Sequence, residues 1–435
     1  MNAVERDDDV DEACVVVVDP WSSGATLAPA LRAAGFRPMA VVNPTVPRSI
    51  WASTFRPSDF DAVIPYEPPL ETFAARLAAL DPAYVLAGAE SGVELADRLA
   101  AILTPDLANV PELTTARRHK ALMGEAVAAA GLPHIRQVCT DDVETVADWI
   151  AANDLSGAPL VLKPPKSSGT DGVVKVEPGG EWRGAFLRLL GRRNQLGGVD
   201  DQVLVQEFAE GEEYVVNTFS AGGRHTVTDI CRYQKARSAE QFAIYEAMDF
   251  LPYEGDVQRR LVPYALAVLD ALGIRFGPAH MEIMLTADGP RLIEVGARMC
   301  GSIHYPEFGR TATGESQLER IVRYCCGDRD IRPDYTLRRH LRVTFLVAAT
   351  AGIVRNAEVF EAIPLLASYH VGAAHVENGE WVPKTTDLFT ALGMVSLAHD
   401  DEAQVLADYA TIRGWEADLV IEEPDEERAL AGVAS

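Results

Sequence analysis

The stretch His280-Met281-Glu282-Ile283-Met284, followed after a break by Arg291-Leu292-Ile293-Glu294-Val295-Gly296-Ala297-Arg298, constrains the fold more than any other part of the chain. The break, Thr286-Ala287-Asp288-Gly289-Pro290, is made of turn residues and is flanked by two apolar runs, which is the pattern of a β-hairpin. A turn centred on Asp288 sets Glu282 opposite Glu294 and Ile283 opposite Ile293. Opposed residues of an antiparallel pair share a face, with Cβ atoms about 4.5–5.5 Å apart. Two carboxylates at that separation repel by ~3 kcal/mol at an effective dielectric of about 20. A cation between them turns the penalty into a binding site. Both glutamates are hard oxygen donors, which selects Mg²⁺ or Mn²⁺, a cation commonly brought in by the phosphates of a nucleotide. The alternative is a solvated hairpin face carrying two unrelated acids. Met281, Met284, Leu292 and Val295 weigh against it, because they make both strands read as buried.

Composition narrows the function classes. With 435 residues the chain exceeds a single core, and two to four domains are expected. No run of about 18 apolar residues occurs, so no membrane span is expected. The acidic start, Met1 to Asp9, lacks the apolar core of a secretory leader. Cys14, Cys139, Cys231, Cys300, Cys325 and Cys326 follow neither a disulfide framework nor paired zinc spacing. These features point to the cytoplasm. A net charge of −25, from 39 basic and 64 acidic residues, argues against a nucleic-acid partner. Part of the acidity lies at the two ends, including Glu422-Glu423-Pro424-Asp425-Glu426-Glu427, which read as solvated tails.

Strand-like and helix-like segments alternate from Cys14 to Leu103. Cys14–Asp19, Met39–Val42, Asp61–Ile64 and Tyr84–Ala87 read as strands, and Gly24–Gly35 as the first helix. That alternation predicts a doubly wound parallel layer. The first loop, Asp19-Pro20-Trp21-Ser22-Ser23-Gly24, lacks the GxGxxG spacing of a dinucleotide site, although a small substrate could sit at the C-terminal ends of these strands. A helix is expected over Thr115–Ala130, carrying Lys120. Strands follow over Pro159–Lys163, Val173–Val176 and Val203–Phe208, the last leading into Gly211–Val216. From about Arg338 an α+β segment begins, with a hairpin turn expected at Asn378-Gly379.

Between the strands ending at Lys163 and beginning at Val173 lies Pro164-Pro165-Lys166-Ser167-Ser168-Gly169-Thr170-Asp171-Gly172. Small residues let backbone N–H groups approach phosphate oxygens; an ordinary flexible hairpin loop has the same look. It is not a Walker A loop, since a strand follows rather than a helix. Lys163 favours the phosphate reading, because a lysine ending an apolar strand needs an anion or an exit to water. Glu207 and Glu213 flank a short turn, as ribose or purine contacts or as solvated acids. Arg298, four residues after Glu294, can reach a phosphoryl or carboxylate group beside the metal. His280 faces the same side as Glu282, as a substrate contact or a core histidine. Arg232-Tyr233-Gln234-Lys235 offers a further anion contact or an exposed basic strand end.

Taken in order, Lys120, Lys163 with the Ser167–Gly172 loop, Glu207 with Gly211-x-Glu213, and Glu282 … Glu294-x-x-x-Arg298 resemble the ATP-grasp superfamily. Gly277-Pro278-Ala279-His280-Met281-Glu282, Glu294-Val295-Gly296-Ala297-Arg298 and the C-terminal extension most resemble its bacterial L-amino acid ligases and related carboxylate–amine ligases. The resemblance spans Val15 to about Val420. It implies a multidomain α/β and α+β chain with an ATP-grasp fold. Residues 1–110 would form the parallel α/β domain, 111–205 the smaller, lid-bearing subdomain and 206–335 the larger one with the metal hairpin. Residues 336–435 would form the α+β extension and acidic tail.

It further implies that ATP and two Mg²⁺ (or Mn²⁺) ions act with a small carboxylic acid and an amine, and that the chain forms a homodimer. Lys120 and Lys163 would contact phosphates, with Ser167, Ser168, Gly169, Thr170 and Gly172 closing over them. Glu207 and the backbone at Phe208 and Ala209 would hold adenine, and Glu213 the ribose. Glu282 and Glu294 would hold metal, and Arg298 would steady the transferred phosphate. His280, Gly301, Ser302, His304 and Tyr305 would line the acid pocket, the last three of the side chains as hydrogen-bond donors. Many members carry Asn two residues after the second glutamate; Gly296 stands there here, a departure that leaves the second metal's geometry open. The implied activity is an ATP-dependent ligase making an amide or dipeptide through an acyl phosphate. The rivals are an ATP-grasp carboxylase or purine-pathway type of ligase, and a nucleotide-binding subunit that does not catalyse.

Overall fold

The computed structural model describes residues 12–46, 53–167, 169–235 and 244–423. Ser168 and the tail beyond residue 423, both singled out above, lie outside them, as does the acidic start.

The N-terminal layer is β1 (Cys14–Val18), α1 (Leu27–Ala33), β2 (Arg37–Val42), β3 (Ala62–Pro65), α2 (Leu70–Ala78), β4 (Pro82–Ala87) and α3 (Val93–Leu103). All pairings are parallel, in the order β3-β2-β1-β4. The run Cys14-Val15-Val16-Val17-Val18 is buried throughout, as a central parallel strand covered on both faces must be. The α-helix begins three residues later than the sequence suggests, because Ser22–Thr26 winds as a tighter 3₁₀ turn. Gly24 sits against Gly88 so closely that a Cβ would lie 2.3 Å from the Gly88 carbonyl oxygen. That contact draws the loops after β1 and β4 together.

Helix α4 (Lys120–Ala129) also starts later than Thr115, the expected first residue. Arg117 explains the delay. It is fully buried, with Nε donating to Asp97 at 2.6 Å and its other nitrogens donating to the Leu272 and Val110 carbonyls. These bonds hold the preceding turn in place and put Lys120 in the first turn of the helix, where its N–H donates to the Pro165 carbonyl. Next come β5 (Gln137–Thr140), α5 (Val143–Ala152), β6 (Leu160–Lys163), β7 (Val174–Val176), α6 (Trp182–Leu189) and β8 (Val203–Glu207). The strands form an antiparallel sheet, β5-β8-β6-β7. Helices α5 and α6 cover it through Val146, Ile150, Phe186 and Leu189, which pack with Leu160, Leu162, Val203 and Val205.

The largest sheet gathers β9 (Glu212–Ala221), β10 (Arg224–Lys235), β11 (Tyr245–Leu251), then, after α7 (Asp256–Ala271), β12 (Gly277–Thr286) and β13 (Gly289–Gly296). Helices α8 (Tyr305–Thr313) and α9 (Gln317–Cys325) follow, and then β14 (His340–Leu346), β15 (Gly352–Val354), β16 (Tyr369–Ala374), β17 (Trp381–Val382), β18 (Gly393–His399), α10 (Glu402–Ala417) and β19 (Ile421–Glu422). Its order is β13-β12-β9-β10-β11-β14-β18-β16, so the C-terminal segment extends the central sheet. A small sheet, β17-β15-β19, closes the end. Asn378-Gly379 does form a turn, with Gly379 at φ 86°, but not a hairpin. The strand before it, β16, pairs with β18, and the strand after it, β17, pairs with β15. Short-range turn chemistry was read correctly there, and the long-range pairing was not. All six cysteines are free. Among the described residues no helix is long and apolar enough to cross a membrane.

Candidate active site

The site is built in rows across the central sheet. Glu282 lies opposite Glu294 on one side and Val215 on the other, and Val215 lies opposite Cys231. Two residues along each strand, Gly296, His280, Asn217 and Asp229 form the next row. Residues two apart on a strand share a face, so both rows lie on one face of the sheet, from which Glu282, Glu294 and His280 reach the cavity while Val215 and Cys231 pack in the core. The expected opposition of Ile283 and Ile293 does not occur. The register shifts after Glu282, and Ile283 lies opposite Leu292. The turn is the two-residue Ala287-Asp288, closed by Thr286 and Gly289, which leaves Ile293 as the extra residue of a bulge. A bulge re-aims side chains: Ile293 and Glu294, though adjacent, both line the cavity, whereas Leu292 enters the core.

The cavity has two chambers. The smaller, roughly 140 Å³, brings together Lys120, Lys163, Ser167, Gly169 and Thr170 with Glu207, Phe208, Ala209 and Glu213. Glu282 and Glu294 line it and also the larger chamber, as does Gly169. Lys120 Nζ lies 3.0 Å from Glu294 and donates to the Ser167 carbonyl at 2.6 Å. Burial alone would raise the Glu294 pKa, but Lys120 and Lys163 outweigh it and hold it down at about 2. Lys163 is itself lowered to about 8, by burial first and then by Lys120, against the pull of Glu294, Glu282 and Glu213. It is thus an ammonium poised to gain from an incoming anion. Glu213 bonds Lys235 at 2.6 Å and Tyr245 at 3.3 Å, and burial pushes its carboxyl upward. Lys235 is therefore committed within the protein, as is Arg232, which pairs with Asp249. Arg136 clasps the Glu207 carboxylate through its backbone N–H and its side-chain Nε. Gly172 lies outside both chambers. The loop it ends is anchored by Asp171, which accepts from Arg192 and from the Gln195 N–H.

The larger chamber, roughly 450 Å³, contains His280, Arg298, Gly301, Ser302 and Tyr305 in its wall. His304 does not line it; its ring is exposed and lies against Phe308. Tyr305 contributes its ring rather than the expected donor, since its hydroxyl donates inward to Asp229 at 2.7 Å. Met248, Phe308, Val343, Phe345 and Met394 make much of the wall apolar. A polar corner comes from the N-terminal layer: Ser22, Ser23, Glu90 and Ser91, at the C-terminal ends of β1 and β4. The sequence marked that strand-end region and the first loop with Ser22 and Ser23, but not Glu90 and Ser91, which belong to no motif. Glu90 bridges Arg298, at 3.0 Å, and Arg118, at 3.3 Å. This bridge accounts for Gly296: a Cβ there would lie 2.8 Å from Glu90 Oε2 and 2.9 Å from Arg298 Cζ.

A divalent cation fits this arrangement. Among the described residues no group of three His, Cys, Asp or Glu side chains is arranged to hold a metal. Glu282 and Glu294 would therefore be the protein's share, leaving the other positions to phosphate oxygens and water, as Mg²⁺ prefers.

The family described as ATP-grasp domain matches residues 156–307. Dapdiamide A synthase of Enterobacter agglomerans is 30% identical over 415 residues, 93% of this chain and 96% of that protein. The chain belongs to the ATP-grasp ligases. The fold agrees: the crystal structure of the L-amino acid ligase from Bacillus licheniformis superposes with a TM-score of 0.69, at 17% identity, over 95% of this chain and 99% of that one. An ADP complex of N5-carboxyaminoimidazole ribonucleotide synthetase superposes with a TM-score of 0.66, at 16% identity, over 93% and 97% of the two chains. This ATP-grasp ligase is an ATP-dependent carboxylate–amine ligase, forming a carbon–nitrogen bond between small molecules.

Proposed function

We propose that this ligase couples amino-acid-type substrates, making a dipeptide or amide through an acyl phosphate. The observation that carries the proposal is the meeting of the two chambers at Glu282, Glu294 and Gly169. In this reading the smaller chamber takes the nucleotide. Lys120 and Lys163 hold phosphates under the loop containing Ser167, Gly169, Thr170 and Gly172. Phe208 and Ala209 hold adenine through their backbone, and Glu207, clasped by Arg136, sets the edge of that pocket. Glu213 takes the ribose. Glu282 and Glu294 hold Mg²⁺, which neutralises charge on the phosphates and the transferred group when bound.

The larger chamber takes the acid and the amine. Its apolar walls suit an apolar side chain, whose burial contributes ~1.5–3 kcal/mol. A carboxylate oxygen of the acid bonds to the γ-phosphorus, and ADP leaves. The amine nitrogen then bonds to the acyl carbon, phosphate leaves, and the nitrogen gives up a proton. Arg298, held by Glu90, faces the anionic carboxylate and the acyl phosphate. Closing the loop over the site keeps water from the acyl phosphate. The same reading divides the chain near residues 110, 205 and 335 and puts it in the cytoplasm, which its six free cysteines suit.

The test is release of ADP and phosphate with ATP, Mg²⁺ and a panel of amino and other carboxylic acids, singly and in pairs. Release that requires one pair, with the coupled product found by mass, is the expected result. Release with single acids alone, or with no coupled product, would overturn the proposal. The lowered Lys163 pKa adds a pH dependence. Lys163 is an ammonium below pH ~8 and loses its charge above it in the free protein. Bound phosphate favours the charged form, so ATP affinity should fall by up to about tenfold per pH unit above pH ~8. Lys163→Arg should flatten that slope in binding titrations from pH 7 to 10; an equal slope in the two proteins would remove Lys163 from the phosphate site.

A further inference from the structure

Asp229 is fully buried on β10 and touches neither chamber, yet its carboxylate ends a hydrogen-bonded row that reaches the paired glutamates. Asn217 Nδ2 donates to Asp229 Oδ1 at 2.6 Å, and the Tyr305 hydroxyl donates to the same oxygen at 2.7 Å. Thr228 Oγ1 donates to Oδ2 at 3.0 Å. On the other side of Asn217, its Oδ1 lies 2.9 Å from His280 Nδ1, and His280 Nε2 lies 3.4 Å from Glu282 Oε1. The sheet register makes the row continuous: Asp229 opposes Asn217, and Asn217 opposes His280.

We propose that Asp229 is a positioning residue which, through the amide of Asn217, fixes a hydrogen on Nδ1 of His280 and turns Nε2 toward Glu282 and the cavity. The logic follows from donor counts. A carboxylate only accepts hydrogen bonds, whereas a carboxamide has one accepting and one donating end. Turning Asn217 over would set its oxygen against Asp229 Oδ1 at 2.6 Å, two acceptors in contact. Asn217 must therefore show its NH₂ to Asp229 and its oxygen to His280. An oxygen facing Nδ1 requires the hydrogen on that nitrogen, so the orientation of His280 is decided two strands away. The Tyr305 hydroxyl is consumed by the same carboxylate, which fixes the face its ring shows to the acid. Partners of this kind, one contact behind a ligand or substrate residue, act on reactivity by orientation.

The role in turnover rests on the ligase reading, whereas the placement of the hydrogen does not, and the experiment separates them. In the full chain, labelled with nitrogen-15 in its histidine rings, the His280 signal is assigned among nine histidines by its loss in His280→Gln. The expected wild-type spectrum shows hydrogen on Nδ1, with or without a second on Nε2. A neutral ring with hydrogen on Nε2 alone overturns the proposal, whatever the activity. Asp229→Asn gives position 229 a donor, which permits the Asn217 amide to turn over. In that variant the Nδ1 hydrogen should be lost or mixed, and kcat for acid-dependent ADP release should fall about 10- to 100-fold. KM for ATP should change by less than about twofold, because the contacts of Lys120 and Lys163 are untouched. An unchanged ring spectrum with unchanged kcat overturns the assignment of Asp229. Should Asp229→Asn fail to fold, Asn217→Leu, which cuts the link between Asp229 and His280, should likewise lose or mix the Nδ1 hydrogen, and an unchanged ring there overturns the proposal.

Discussion

Glu294→Gln lowers turnover by about a thousandfold or more, a loss of roughly 4 kcal/mol of transition-state stabilisation. The substitution keeps the shape of the side chain and removes its charge. In the native site that charge is held in place, because Lys120 sits 3.0 Å away and, with Lys163, keeps the carboxyl ionised down to about pH 2. Glu282 opposite is the other acid of the pair. With glutamine in place of Glu294, a divalent cation faces one carboxylate rather than two, and Lys120 loses its ionic partner while keeping its bond to the Ser167 carbonyl. The fold should tolerate the change, since the side chain borders a cavity and not the packed interior. The measurements are kcat, the Mg²⁺ concentration needed for half-maximal ATP binding, and the thermal midpoint. A variant with wild-type kcat and wild-type Mg²⁺ requirement would refute the metal assignment.

Gly296→Asn should cost about a hundredfold in kcat while leaving ATP affinity within about twofold. This variant restores the residue that many ATP-grasp chains carry after the second glutamate, so a reading from motifs alone expects improvement. The geometry argues the reverse. Any Cβ at 296 lies 2.8 Å from Glu90 Oε2 and 2.9 Å from Arg298 Cζ, closer than side-chain carbons approach such atoms. One partner must move, and Glu90 is tied to Arg118 as well. The movement is taken up by Arg298, the side chain proposed to meet charge on the transferred group. Gly296→Ala is the milder form, with an expected loss of about tenfold. Higher kcat in the Asn variant would show that Glu90 and Arg298 do not set the requirement for glycine.

How much was legible beforehand depended on how local each signal was. The opposed Glu282 and Glu294 followed from turn residues and strand period, and so did the parallel N-terminal layer. The hairpin register failed one residue beyond Glu282, because a bulge at Ile293 leaves no mark in the adjacent apolar pair Leu292-Ile293. The late start of α4 depends on Arg117 finding Asp97 and two carbonyls far along the chain, which no helix propensity contains. Tyr305 lines the larger chamber with its ring, yet its hydroxyl, expected as a donor, points away from it, toward Asp229. Glu90 went unnoticed because its meaning arises only when the loop after β4 meets the end of β13. His304, adjacent in sequence to a wall residue, is exposed at the N-cap of α8 and makes no capping bond there.

The continuation of the central sheet into β14 and β18 has a consequence for how such a catalyst diversifies. Val343, Phe345 and Met394 face the larger chamber from these strands, whereas Lys120, Lys163 and the paired glutamates come from other parts of the chain. In the proposed reading, mutational drift confined to two C-terminal strands therefore resizes the room offered to a new acid or amine while the phosphate site stays as it is. A directed-evolution library for altered products belongs on those inward-facing positions, and a library spread over the hairpin would mostly return dead clones.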